Sequence, residues 1–166
     1  MKELTAEIIV QLIVSGLALG FIYALVSIEY TIIFNATGLL NFSHDKLIML
    51  GAYVFAGQFV LRMGAPPAIA IIATVATMFL FGVLVATGIF NPLRNMASPV
   101  FAVIGTVILG RILTELARVI WGATPFTVPG FLKGIVKIGS IVIPRANIAI
   151  ILVSAVIVTA WQIFFK

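Results

Sequence analysis

The sequence predicts an all-α membrane protein, a polytopic bundle of about five transmembrane helices with one short broken or re-entrant segment. The chain is 63% hydrophobic and only 9% charged, with a mean hydropathy of +1.28. A soluble domain has roughly a quarter of its residues charged, so this chain cannot cover a surface that faces water. Its long charge-free stretches are continuously apolar, which excludes the alternating pattern of a membrane β-barrel.

The first predicted helix covers about residues 6–27, because residues 8–28 carry no charge and match the length of a membrane span. Within it, Gly16 and Gly20 form a G-x-x-x-G pattern. Small residues four positions apart let a second helix backbone approach closely. We therefore predict that this helix packs inside a bundle.

The stretch that follows, residues 29–40, is too short for an ordinary span and is interrupted by Asn35, Thr37 and Gly38. Irregular backbone at membrane depth needs protein or a water-filled cavity around it. The stretch is therefore either a short re-entrant segment, as in many transporters, or a turn at the membrane interface.

Prolines mark the ends of the later helices. Pro66 and Pro67 suit the first turn of a helix, and Pro92 cannot continue one. The remaining helices are predicted over about residues 45–61, 67–90, 100–121 and 147–165. Between the last two, the period-two run IVKIGSIVI predicts either a small hairpin or a segment along the membrane interface.

The charge pattern and the motifs exclude several functions. The net charge is +5, but the basic residues are scattered singly, which argues against nucleic-acid binding. The chain has no cysteine and one histidine, too few ligands for a thiolate or histidine metal site. The motifs of nucleotide-binding loops and of common hydrolases do not occur. We therefore predict no catalytic residue, no metal and no cofactor, with membrane lipid as the surroundings.

A polar cluster interrupts the apolar sequence at LLNFSHDKLIM and consists of Asn41, Ser43, His44, Asp45 and Lys46. One histidine beside one aspartate is too few ligands for a metal. Consecutive residues at a helix start point in different directions, which disfavours a Ser-His-Asp relay. The favoured interpretation is a polar loop that leads into a helix, with Asp45 placed well for the helix dipole.

A second polar group lies in the fourth predicted helix, where Arg111, Glu115 and Arg118 share one face. Charged groups in a membrane usually pair and face the bundle interior or an aqueous path. The group is either the lining of a pathway or subunit contact, or an ion-paired helix end that reaches the head groups. As a hypothesis from polarity alone, a substrate path is lined by Thr31, Asn35, Asn41, Arg111 and Glu115.

Residues 15–53 closely resemble the N-terminal signature of the permease subunits of branched-chain amino acid ABC importers. The matching elements are a glycine-rich first helix with IYAL, then YT, GLLNFSH and MLGAY, and later the loop NPLRNMASP. The most specific element is the helix entry formed by Asn41, Phe42, His44 and Asp45. The resemblance extends over the whole chain, 1–166, which we interpret as a single permease domain.

The resemblance implies a membrane subunit of an importer for leucine, isoleucine and valine, or for related amides or urea. Family members work with two ATP-hydrolysing subunits, a second permease and an external substrate-binding protein, in a bacterial or archaeal plasma membrane. The sequence is expected to be truncated before the cytoplasmic segment that docks on the ATPase. The alternatives are an ATP-independent channel or small carrier, and a non-functional truncated permease.

Four residues depart from the family pattern. Glu29, Asn35 and Asp45 stand where glycine is usual, and Lys46 replaces an acidic residue. Large polar side chains in place of glycine are expected to hinder close helix contact or to alter the loop.

Overall fold

The structure is a computed structural model that describes residues 2–96, 98–124, 126–128, 132, 134–139 and 141–164. The chain divides into two compact units, which are described separately. One combines Met1–Glu29 with Gly130–Lys166, and the other is Tyr30–Pro129.

The first helix, α1, is longer than predicted and covers Lys2–Thr37 without interruption. Residues 29–40 are therefore not a separate broken segment, because they are helical as far as Thr37. No glycine or proline occurs between Gly20 and Gly38, and isolated Asn and Thr residues lower helix propensity only slightly. The chain leaves the helix at Gly38, whose φ of 69° is a left-handed conformation that glycine adopts without strain.

The second helix, α2, covers His44–Ala52 and continues as a π-helical segment over Tyr53–Arg62. This matches the helix predicted over residues 45–61. A short turn follows, and the next helix starts with Pro67 at its first position, as predicted.

The third helix does not end at Pro92 as predicted. Helix α3 covers Pro67–Val85 and continues through a π-helical segment, Ala86–Phe90, into the short helix α4 at Asn91–Arg94. Proline removes one backbone donor from an α-helix, but here the π-helical turn just before it has already shifted the hydrogen-bond pattern. The helix therefore continues for one more turn.

Helix α5 covers Pro99–Trp121 and lies at the centre of the second unit. Ser98 precedes it, and the Ser98 hydroxyl accepts a hydrogen bond from the Val100 N–H (3.4 Å). One face of α5 is buried along its whole length, at Ala102, Thr106, Leu109, Gly110, Leu113 and Ala117. These residues recur mainly at intervals of three and four. Two of them, Leu109 and Leu113, belong to the hydrophobic core together with Leu50, Val54, Val85 and Phe90.

The other unit contains the first part of α1, a hairpin and helix α6. The hairpin pairs β1 (Ile135–Ile138) with β2 (Ile141–Pro144) in antiparallel register, which confirms the first of the two predicted alternatives. Helix α6 covers Arg145–Phe164 directly after β2. Its Asn147 side-chain amide donates to the Ser15 hydroxyl of α1 (3.1 Å).

In the part of the chain that the structure describes, four helices are long and apolar enough to cross a membrane: Glu7–Thr37, Pro67–Arg94, Pro99–Trp121 and Arg145–Phe164. Length and composition alone define them. The sequence predicts about five transmembrane helices. The remaining predicted helix is present as α2 with its π-helical segment, but it is not among these four. The predicted fold class, a helical membrane bundle, is confirmed.

Candidate functional site

The polar cluster of the sequence covers the end of the connection between α1 and α2, residues 38–43, and the first turn of α2. The second half of this connection packs against the middle of α5. Its contacts on α5 are Thr106 and Gly110. These residues follow Pro99 by seven and eleven positions, which corresponds to about 10 and about 16 Å along the helix axis. If α5 spans a bilayer about 30 Å thick, α2 begins near the middle of the membrane.

Hydrogen bonds from side chains satisfy the irregular backbone at this depth. The Asn41 Oδ1 atom accepts from the Ser43 N–H (2.9 Å) and from the Ser43 hydroxyl (2.6 Å). The Phe42 N–H donates to the hydroxyl of Thr106 on α5 (3.2 Å), and that hydroxyl donates to the Val103 carbonyl (2.9 Å). Backbone groups without partners are costly in an apolar environment, so these side chains make the interruption of the helix tolerable.

Close packing holds the same connection against α5. Asn41 is 3% exposed, Ser43 0% and Thr106 0%. A Cβ at Gly110 would lie 3.5 Å from the Ser43 Cα atom and 3.4 Å from the Lys46 Cγ atom. A larger side chain at this position would therefore displace the start of α2 from the helix.

The other residues of the helix entry have different environments. His44 is buried, and its ring contacts Tyr30 edge-on, with centroids 5.5 Å apart. Phe42 is 53% exposed. Asp45 is exposed and forms an ion pair with the Lys46 ammonium group (2.6 Å). At the predicted helix entry, Asn41 and His44 are therefore buried, whereas Phe42 and the ion pair of Asp45 with Lys46 are exposed.

The charged group predicted on the fourth helix lies on the opposite face of α5. Arg111, Glu115 and Arg118 are all exposed, about half a helical turn away from the buried face that holds Thr106 and Gly110. Glu115 forms its ion pair with Arg118 (3.0 Å). The five residues of the predicted path are therefore not gathered in one place, because the body of α5 separates Asn41 from the face of Arg111 and Glu115.

Thr31 and Asn35 lie on α1, four positions apart, and both are exposed. Asn35 lines an open cleft of about 510 Å³ at the end of α1, together with Arg94 and Ser98. Of the described residues, none lies within 4 Å of a Cβ built at Gly16 or Gly20. The helix-packing role of these two glycines stays a prediction. The helix that packs against them would not come from the described residues.

Sequence reasoning missed the residues on α5 that receive the connection. Ala102, Thr106 and Gly110 are spaced by four, which is the small-residue pattern that allows close helix approach. The same rule had singled out Gly16 and Gly20, so this signal was available. Among the described residues, no group of three or more histidine, aspartate and glutamate side chains could hold a metal ion.

The family model described as branched-chain amino acid transport system / permease component matches residues 12–165. Among curated proteins, the branched-chain amino acid permease BraD of Pseudomonas aeruginosa is 28% identical over 167 residues, 94% of this chain and 54% of BraD. The LivH permeases of Escherichia coli K12 and Salmonella typhimurium are each 41% identical over 44 residues, 26% of this chain and 14% of LivH.

The chain thus spans about half the length of BraD. No solved structure matches it. The match of the family model extends over nearly all of the described residues, from the first half of α1 to the end of α6. The chain therefore belongs to the family of branched-chain amino acid transport permeases, a family of transport subunits, and it is a multi-pass membrane protein.

Proposed function

We propose that the chain is a permease subunit of an ATP-binding-cassette importer that carries branched-chain amino acids or related small amides. It contributes its helices to the translocation path and leaves ATP hydrolysis to other subunits. Within this proposal, residues 1–166 act as a single permease domain. Its partners are two ATP-hydrolysing subunits, a second permease subunit and an external substrate-binding protein.

The observation that carries this proposal is the exposed charged face of α5 in a chain of this family. Arg111 lies near the middle of a 23-residue helix that is apolar enough to span a membrane. A charged side chain at such a depth costs at least roughly 2.5–3.5 kcal/mol if it faces lipid. The face must therefore contact protein or water in the working transporter, which supports its place at a path or at a subunit contact.

The candidate path residues differ in how well the geometry supports them. Arg111 and Glu115 are exposed and lie on the same face, so a solute can reach both. Thr31 and Asn35 share an exposed face of α1 and stay candidates for the same reason. Asn41 is buried by its own chain and bonded to Ser43. We therefore propose that it does not line the path but stabilises the connection between α1 and α2.

The first experiment is a pull-down of the native protein in mild detergent, analysed by intact-mass and peptide mass spectrometry. Recovery of two ATPase subunits and a second permease would support the importer. Recovery of a bare 17.8 kDa chain, alone or with copies of itself, would contradict it and leave a channel or an inactive permease.

A transport assay then tests the activity itself. The recovered complex is reconstituted in vesicles with its binding protein. Uptake of labelled leucine is then measured with and without ATP on the side of the membrane that the ATPase subunits face. Uptake that requires ATP and is competed by isoleucine and valine is the expected result. Uptake that proceeds equally without ATP would favour the ATP-independent channel or carrier.

A further inference from the structure

The cleft beside Arg94 lies where three of the candidate membrane-spanning helices end. It has a volume of about 510 Å³ and is lined by residues from the end of α1, from α4 and from the start of α5. The spans Glu7–Thr37 and Pro67–Arg94 finish at this cleft, and the span Pro99–Trp121 begins there. The ends of membrane-spanning helices lie at the level of the lipid head groups, so the cleft opens at that level.

The charges around the cleft favour an anion. Arg94 lines it, and none of the described lining residues is acidic. In the described part of the chain, Arg94 is exposed and makes no hydrogen bond or ion pair. The positive end of the α5 dipole adds to its charge at the same place. At the end of α1, the Thr37 hydroxyl accepts from the Leu39 N–H (3.2 Å), so one polar group there is already satisfied.

The remaining lining suits a molecule with an apolar part. Leu39, Leu93 and Met96 line the cleft beside the polar side chains of Asn35 and Ser98. Met96 is 49% exposed, so apolar surface continues from the cleft to the outside of the molecule. A free inorganic anion or a small solute would leave this apolar surface unused.

We propose that this cleft binds an anionic phospholipid, with Arg94 contacting the head-group phosphate. Arginine binds phosphate through several N–H groups in a fixed planar arrangement, which gives stronger contacts than a single ammonium group does. Basic pockets between transmembrane helices are a general way in which membrane proteins hold anionic head groups. The leucine and methionine side chains then contact the glycerol and the start of the acyl chains.

Native mass spectrometry of the complete, purified protein in lipid nanodiscs tests this proposal. The discs contain equal parts of phosphatidylcholine and phosphatidylglycerol, and the lipids that stay bound after disc removal are identified by mass. The wild-type protein should retain phosphatidylglycerol in preference. Arg94→Gln should lower the retained phosphatidylglycerol about fivefold, since one basic residue near a membrane surface contributes about 1 kcal/mol. Arg94→Lys should lower the retained phosphatidylglycerol by a smaller factor, because it keeps the positive charge.

Lys137→Gln is the matched control, because it removes the same charge from an exposed position on the hairpin. It should leave the retained lipid unchanged. Equal loss in both glutamine variants would mean a general charge effect, and no loss in Arg94→Gln would mean that Arg94 is not the contact. Either result overturns the proposal.

Two further measurements use the wild-type protein, so they do not depend on the folding of a variant. Added salt should reduce phosphatidylglycerol retention, because exposed charges are screened at higher ionic strength, and salt-independent retention would overturn the contact. Inorganic phosphate is then added as a competitor at constant ionic strength, so that screening does not change. Retention that survives it supports a lipid site, whereas displacement of the lipid by phosphate alone would overturn the assignment to a lipid.

Discussion

The two polar regions of the second unit lie on opposite sides of the same helix and differ in how their polar groups are satisfied. In the connection between α1 and α2, Asn41 and Ser43 are buried and bond to each other, and the Phe42 N–H bonds to Thr106. The charged face of α5 is exposed, with one ion pair between Glu115 and Arg118 and with Arg111 near the middle of the helix. Polar residues within the apolar sequence of this unit therefore have two different roles: some stabilise the fold, and others face the surroundings of the chain.

The first region is bonded mainly within the chain, although the buried Asn41 Nδ2 atom has no hydrogen-bond partner among the described residues, so its residues should matter for stability. The second region needs protein or water beside it, so its residues should matter for what the assembled protein does. Mutations that separate a loss of stability from a loss of transport test this difference directly.

The largest effect is expected at the contact between the connection and α5. Gly110→Leu would push side-chain atoms against Ser43 and the start of α2, and overpacking of this kind costs about 1–3 kcal/mol. The thermal unfolding temperature in detergent should fall by several degrees. Gly82→Leu is the control, because none of the described residues lies within 4 Å of a Cβ at that exposed position in α3. An equal fall in both variants would contradict the proposed contact.

The next effect concerns the acceptor that satisfies the connection. Asn41→Ala leaves the Ser43 N–H and hydroxyl without a partner in a buried position, which costs about 1–3 kcal/mol in the free energy of unfolding. Asn35→Ala removes the same side chain from an exposed position and should change stability by less than about 0.5 kcal/mol. Ser43→Ala should cost less in the Asn41→Ala background than alone, because the hydroxyl has already lost its acceptor. Strict additivity would show that the two side chains are not coupled.

On the opposite face, Arg111→Gln should lower ATP-driven uptake by the proposed importer about tenfold, as expected for the loss of one charged hydrogen bond to the substrate or a partner subunit. Its unfolding temperature should stay close to that of the wild type, because the side chain is exposed. Arg118→Gln, about two turns nearer to the end of α5, is the comparison and should have a smaller effect. Full transport by Arg111→Gln would remove this face from the path.

The smallest effect is expected at Thr106. Thr106→Val keeps the shape of the side chain but removes the acceptor of the Phe42 N–H, at a cost of about 1 kcal/mol. Thr106→Ser keeps the hydroxyl and should retain most of the stability that valine loses. The difference between the two variants in thermal unfolding measures this hydrogen bond, and identical unfolding temperatures would argue that water replaces it.

The sequence predicted those elements whose signals are local. Pro66 and Pro67 predict the start of α3, and the period-two run predicts the hairpin as one of two alternatives. The predicted ends of two helices were wrong, because the residues next to each predicted end determine whether the helix continues. Pro92 does not end its helix, because a π-helical turn precedes it. Helix α1 does not end near residue 27, because neither glycine nor proline occurs between Gly20 and Gly38.

By itself the sequence determined the membrane environment, the helical class and the family, because hydropathy, helix length and a dense local motif are all read along the chain. Only the tertiary structure decided which polar residues serve the fold. Asn41 and Arg111 are equally polar interruptions of apolar sequence, but one bonds to Ser43 against Gly110 and the other stays exposed on the far face of α5. Burial and hydrogen-bond partners depend on which helix face meets another element, and that requires contacts between residues more than sixty positions apart.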